Sequence, residues 1–173
     1  LYDQGFAVWG EVRPAMVVWL AVFDGRNQYV LRDIDDSVIK AGTETAMHRR
    51  GLPGKWPRYD AADRKRVGVA DIRGGFDDSV LDASQRYSSG PALTASLSWN
   101  GGVWQSNWSL LLSNTSRHWS IEDADYQALI DRGIDQVADA MGQIFAVTSP
   151  GQGERLATLS LEVEPVTSIE GYR

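Results

Sequence analysis

The sequence predicts an α/β domain: a mixed β-sheet with helices packed mainly on one face, in a two-layer or three-layer-like arrangement. Three observations predict it. Met16–Phe23 is a continuous apolar run bounded by Pro14 and by Asp24-Gly25, which suits a strand buried on both faces. Leu93–Trp99 and Val103–Leu112 alternate apolar and polar residues around Asn100-Gly101-Gly102, a hairpin turn. From Asp123 to Val147, Tyr126, Leu129, Ile130, Ile134, Val137, Met141, Ile144 and Phe145 recur at three- and four-residue steps, the pattern of an amphipathic helix. The element order read from the chain is β-α-β-α-β-β-β-α.

Each element has a local cause. After Met16–Phe23, Asp24-Gly25-Arg26-Asn27 is turn chemistry, and Tyr29-Val30-Leu31 forms a short partner strand. Asp35 or Asp36 caps a helix running to Arg50, with Val38, Ile39, Ala46 and Met47 as its buried stripe. His48, Arg49 and Arg50 complement the dipole of its last turn, and Gly51 stands at the C′ position. Pro53 and Pro57 limit Leu52–Tyr59 to an edge strand or to no regular ladder. Ala61–Arg66 reads as a short helix and Ile72–Phe76 as a flexible connection. Asp77 or Asp78 caps a helix that ends near Tyr87. In the meander, Trp104, Trp108, Leu110 and Leu112 share one face, while Gln105, Asn107 and Ser109 share the other. Ser113-Asn114-Thr115 turns the chain, and Arg117–Trp119 returns as the third strand.

Composition bounds the function classes. The 173 residues are 43% hydrophobic and 23% charged, enough for one ordinary domain with its own core. There is no Cys, which excludes disulfides, thiol catalysis and Cys-based zinc sites. The longest apolar run, Ala15–Phe23, is about half the ~18 residues of a membrane span, so no transmembrane segment is expected. A net charge of −6 argues against nucleic acid as the main partner.

Few residues point to chemistry. His48 and His118 are the only histidines, with no metal-ligand spacing and no evident base partner. Gly74-Gly75 lacks the pattern of a phosphate loop, and Ser88-Ser89-Gly90 that of a nucleophile elbow. The acidic pairs Asp35-Asp36, Asp77-Asp78 and Glu122-Asp123 all precede helices, where capping accounts for them. Asp71 differs: it is read in a loop beside Arg73, Gly74 and Gly75, away from an obvious cap, and is the best candidate for a placed polar group. Arg49, Arg50, Lys55, Arg58, Arg64, Lys65, Arg66 and Arg73 form a basic segment. It reads either as a surface for an acidic partner or anionic lipid, or as solvated helix ends. Trp19, Trp99, Trp104, Trp108 and Trp119 could wall a groove or fill a core. No cofactor, metal ligand or catalytic residue is expected.

Several motifs together carry a family resemblance. Trp9-Gly10-x-x-Arg13-Pro14 with Val17–Val22, then Arg49–Pro53, then Val69-Ala70-Asp71-x-x-Gly74-Gly75-Phe76, resembles a bacterial envelope family catalogued as domain of unknown function 2066. Gly101-Gly102-x-Trp104, Trp108-x-Leu110-Leu111 and Gly133-x-Asp135-x-x-Ala138-Asp139 fit the same pattern. Lys55-Trp56 and Ser88–Thr94 depart from it. The resemblance spans about Val8 to Val147. It implies a secreted gammaproteobacterial protein, periplasmic in its full-length form, with modules on either side and no assigned activity. At fold level the element order is similar to the TolB amino-terminal domain, the CsgG periplasmic domain and the middle domain of flagellar assembly protein T.

The chain therefore divides, as an expectation, into 1–10 as the end of a preceding element, 11–147 as the α/β domain, 148–155 as a linker and 156–173 as the start of a further module. The leading functional expectation is a non-catalytic periplasmic interaction or assembly module, with envelope proteins as partners and a possible homodimer through an exposed strand edge. The alternatives are a ligand-binding or hydrolytic groove near Asp71–Phe76, and binding of anionic lipid or nucleic acid through Arg49–Arg73.

Overall fold

The apolar run is the axis of the sheet. Strand β2 (Met16–Phe23) is buried along almost its whole length, because its neighbours lie on both sides and both faces are covered. The computed structural model describes residues 8–9 and 13–147. The proposed linker 148–155 and further module 156–173 lie outside them, as does most of segment 1–10.

In chain order, β1 (Val8–Trp9) and β2 are followed by β3 (Gln28–Val30), α1 (Val38–Arg49), β4 (Gly54–Lys55), α2 (Ala61–Arg64), α3 (Val69–Gly74) and α4 (Asp77–Ser84). The meander β5 (Ala92–Trp99), β6 (Trp104–Leu112) and β7 (Thr115–Asp123) comes next, then α5 (Tyr126–Phe145) and β8 (Ala146–Val147). The main sheet runs β3-β2-β5-β6-β7, with β4 added beside β2; β1 and β8 form a separate antiparallel pair. β2 and β5 are parallel, from Val17↔Ala92 to Phe23↔Ser98, and all other pairs in that path are antiparallel. The sheet is thus mixed, as the sequence predicts.

Alternation along the strands sends side chains to two cores. Val18, Leu20, Leu93, Leu97, Trp108 and Leu110 pack against the two long helices, α1 and α5. Val17, Trp19, Ala21, Ala92 and Leu111 face the other way, onto Ile72 of α3 and Val80 and Ala83 of α4. The main helices therefore share one face, while short helices close the β2 end of the other. Trp19 and Trp108 fill opposite cores at 0% and 1% exposure, each donating its indole N–H to a serine, Ser84 and Ser106, at 2.8 Å. Trp108 lies over Gly133 of α5, so close that a Cβ there would overlap the ring. Arg49 and Arg50 tie α1 to α5 through Asp131, Asp135 and Asp139.

Three local expectations are corrected. The cap of α1 is Ser37, whose Oγ accepts the Lys40 N–H at 3.1 Å; Asp35 instead pairs with Arg32. That start turns Val38 out of the expected stripe, to 69% exposure, while Ile39, Ala46 and Met47 are buried as expected. Ile72–Phe76 is no flexible connection. Ile72, Arg73 and Gly74 belong to α3, and Gly75 ends it at φ 70°, the left-handed conformation that glycine adopts without a Cβ penalty.

Candidate functional site

A cleft does lie at the end of α3. Ile72, Arg73, Gly74 and Gly75 form one wall of a cavity of about 260 Å³, and the other wall is the face of β6 and β7 carrying Asn107, Ser109, His118 and Ser120. A second cleft of about 300 Å³ continues past Arg73 toward Phe23, Ser98 and Trp99. Arg73 separates the two, with its guanidinium 5.2 Å from the centre of the Phe23 ring. The aromatic groove considered for the tryptophans is not built here. Trp104, Trp108 and Trp119 pack on the α5 side, although Trp108 and Trp119 also line the first cleft; Trp19 is enclosed on the other side, and Trp99 borders the second cleft. The sheet face in the clefts is polar instead and cross-linked between strands: Gln105 to Glu122, Ser120 to Asn107.

His118 is the imidazole that lines this cleft. Its Nδ1 lies 2.8 Å from Ser109 Oγ, and its Nε2 lies 3.4 Å from Asp77 Oδ2 and 3.0 Å from Ser116 Oγ. The carboxylate favours the tautomer protonated at Nε2, which leaves the Nδ1 lone pair to accept the Ser109 proton. Ser109 sits opposite His118 because the β6–β7 register places them so. Asp77 arrives from the first turn of α4, and its Oδ1 is buried without a hydrogen-bond partner.

Asp71 does not stand in a loop away from a cap, as the sequence suggested. It is the third residue of α3 and accepts the Gly68 N–H at 2.6 Å, a capping contact. The basic segment is not gathered into one patch. Arg49 and Arg50 pair with α5, Lys55 donates to the Tyr87 carbonyl, Arg64 to the Tyr59 carbonyl, and Arg66 pairs with Asp82 across the molecule from α5. Arg58 and Lys65 alone of the eight keep side chains without a partner among the described residues.

A buried polar network went unread in the sequence. Asp63 is 1% exposed in the middle of that basic segment. It accepts the Tyr87 hydroxyl proton in a short hydrogen bond and an Arg86 N–H at 2.9 Å. Arg86 also grips Asp60, the cap of α2, through two N–H groups. Burial, and donation to Asp63, push the Tyr87 hydroxyl up to about 12. The Arg86 hydrogen bonds hold the Asp60 carboxyl far below the usual carboxylate range. Tyr87 Oη in turn accepts the Arg58 N–H at 3.0 Å, which fixes the segment after β4, where Tyr59 is held at φ 50°. Every member is satisfied from within, so the network is structural.

The other open feature is an edge. β7 pairs with β6 without interruption from Leu112↔Thr115 to Trp104↔Asp123 and is last in the sheet order. Among the described residues no strand pairs with its outer side. Thr115–His118, Ser120 and Glu122 are exposed.

The fold is thus that of an α/β domain with a mixed sheet. No family model matches the chain, and no curated protein matches it. Among solved structures it is similar to the N-terminal domain of Protein Y from Thermus thermophilus, at 16% identity and a TM-score of 0.36, covering 75% of this chain and 94% of that one. It is also similar to a ribosomal subunit interface protein from Coxiella burnetii, at 11% identity and a TM-score of 0.38, covering 75% and 97%. A likeness this distant assigns no function. The periplasmic location expected from the sequence is corrected here: the structures similar to the chain are described as Protein Y and a ribosomal subunit interface protein, not as envelope proteins, and no family model ties the chain to the envelope. Among the described residues, no helix is long and apolar enough to cross a membrane, and no group of three or more His, Asp or Glu could hold a metal ion.

Proposed function

We propose that the domain is a protein-interaction module and that its contact element is the outer edge of β7. The observation that carries this reading is the nine-residue, uninterrupted ladder of β7, with its outer N–H and C=O groups left unpaired by the described residues. Such an edge is a template for strand addition. The resemblance to domain of unknown function 2066 adds no activity to it. The test is a displayed library of extended peptides selected on the 173-residue chain. Proline is then placed singly at Ser116 and Arg117. These are neighbours, so one of them directs its N–H outward and the other toward β6. Peptides that bind β7 lose affinity with the outward proline while the fold is kept. Binders indifferent to both prolines, or peptides that protect no β7 amide from exchange, contradict the reading.

A second reading rests on the contacts of His118 with Ser109 and Asp77. With a carbonyl ester in the cleft, Ser109 Oγ would bond to the carbonyl carbon as its proton passes to His118 Nδ1. The alcohol would leave with that proton, and water would then release the acid. Arg73 and Asn107 line the same cleft, where developing oxyanion charge would need donors. Hydrolysis of p-nitrophenyl acetate that disappears in Ser109→Ala and His118→Ala supports it. Equal rates in wild type and both variants exclude it.

A further inference from the structure

Resting on the β7 reading, we propose that the strand's partner is β7 of a second copy of this chain, paired antiparallel about a twofold axis at Ser120. The argument is the order of charges along the strand. The cation Arg117 stands in its first half, followed by the imidazole donor His118, and the carboxylates Glu122 and Asp123 stand at its end. In an antiparallel pair centred on Ser120, Arg117 stands directly opposite Asp123 of the second copy and His118 opposite Glu122. Trp119 stands opposite Ile121, and Ser120 opposite itself. Each pairing except Ser120 on itself occurs twice by symmetry. Opposite residues of a ladder share a face, so the charged pairs and the Trp–Ile pairs all meet side by side. Shifting the centre to Trp119 sets Arg117 against Ile121 and His118 against Ser120 instead. A parallel pair sets Arg117 on Arg117 and Glu122 on Glu122, which is repulsive.

The charges are available for this. Arg117 holds Gln143 at 2.8 Å and Glu122 holds Gln105 at 2.6 Å at exposed positions, and the half-buried Asp123 holds Arg132 at 3.2 Å and accepts the Asp125 N–H at 3.0 Å, with lone pairs left for a further donor. The overlap of 117–123 is small for a specific interface, so the dimer is weak, concentration-dependent and loosened by salt.

The experiment is sedimentation of the 173-residue chain over a concentration series, with charge reversals. Arg117→Asp and Asp123→Arg each weaken the dimer on the order of tenfold or more, and the double variant, which restores complementarity, recovers most of it. Thermal midpoints check that each variant is folded. The chain has no Cys, so Ser120→Cys gives a single thiol at the axis. It forms a covalent dimer on oxidation or with a short bis-maleimide. Ser116→Cys, whose two copies would lie about 27 Å apart along the strands, does not. A chain that stays monomeric at every concentration, or equal cross-linking at both positions, overturns the proposal. If a selected peptide still protects β7 in that case, only the second-copy partner is wrong. If no strand protects β7 at all, the interaction reading falls with it.

Discussion

The two edges of the sheet are built in opposite ways. On one side β2 is flanked by two fragments, β3 with three residues antiparallel to it and β4 with two residues parallel to it. Pro53 and Pro57 bracket β4, and the Asp63–Tyr87–Arg86 network pins the chain that follows. On the other side β7 runs nine residues without bulge or break. A fragmented, proline-marked edge is how sheets avoid adding strands, and a long regular one is how they accept them. Among the described residues the same sheet is closed at one end and open at the other, and the proposed partner would be held at the open end.

That contrast can be broken from its supports. The largest expected effect is at Gly133→Ala. The new Cβ would press on the Trp108 ring, which is fully enclosed and cannot move aside, so about 2–3 kcal/mol of stability is lost. α5 backs β6 and β7, so amide exchange should quicken there before it does at β3 and β4. Next is Asp63→Ala, which leaves the Tyr87 hydroxyl and one Arg86 N–H unpaired, at a cost of roughly 1–3 kcal/mol. Here exchange should quicken at 53–60 and leave β7 unchanged; equal loosening of both edges would show that the network does not hold its own edge.

Base offers a milder probe of the same network. The Tyr87 pKa is raised from 10.0 unfolded to about 12 folded. A raised folded pKa means stability that is full below pH 10 and is lost as pH climbs to about 12. Denaturant midpoints across that window should fall in wild type and fall less in Tyr87→Phe. The smallest effect is at Gly42→Ala in α1, the helix behind the β4 side. Its Cβ meets only the far end of the flexible Gln127 side chain, which can shift while its amide keeps Asp131, so helix propensity prevails and stability rises by about 0.5 kcal/mol. Two helical glycines in one layer thus give opposite signs, because one faces a rigid ring and the other a flexible amide.

Periodicity made most of the fold readable. β2, β5, β6 and α5 stand close to where their patterns place them, because each pattern reports which side chains are buried; β7 runs from Thr115 to Asp123 rather than the expected Arg117–Trp119, and takes in Glu122-Asp123, which were expected to cap a helix. The Ser109–His118 pair does not follow from the expected turn Ser113-Asn114-Thr115, which would set Ser109 against Trp119; the turn is only Ser113-Asn114, with Leu112↔Thr115, and that register sets Ser109 against His118. What could not be read depends on distant packing. Asp77 reaches His118 only because α4 is laid over the sheet. Asp63 looks like one more solvated charge in a basic stretch, and its burial is decided by Arg86 and Tyr87, more than twenty positions away. Gly74-Gly75 suggested flexibility because a helix ending on a left-handed glycine and a loose loop have the same composition.

The most direct test of the open edge is residue-resolved amide hydrogen exchange of the 173-residue chain at low and high concentration. At low concentration, alternate amides from Thr115 to Asp123 should exchange rapidly while those facing β6 stay protected. At high concentration the fast set should become protected. Uniform protection of β7 at every concentration, or fast exchange of the outward set that no concentration slows and no peptide strand changes, would contradict the account.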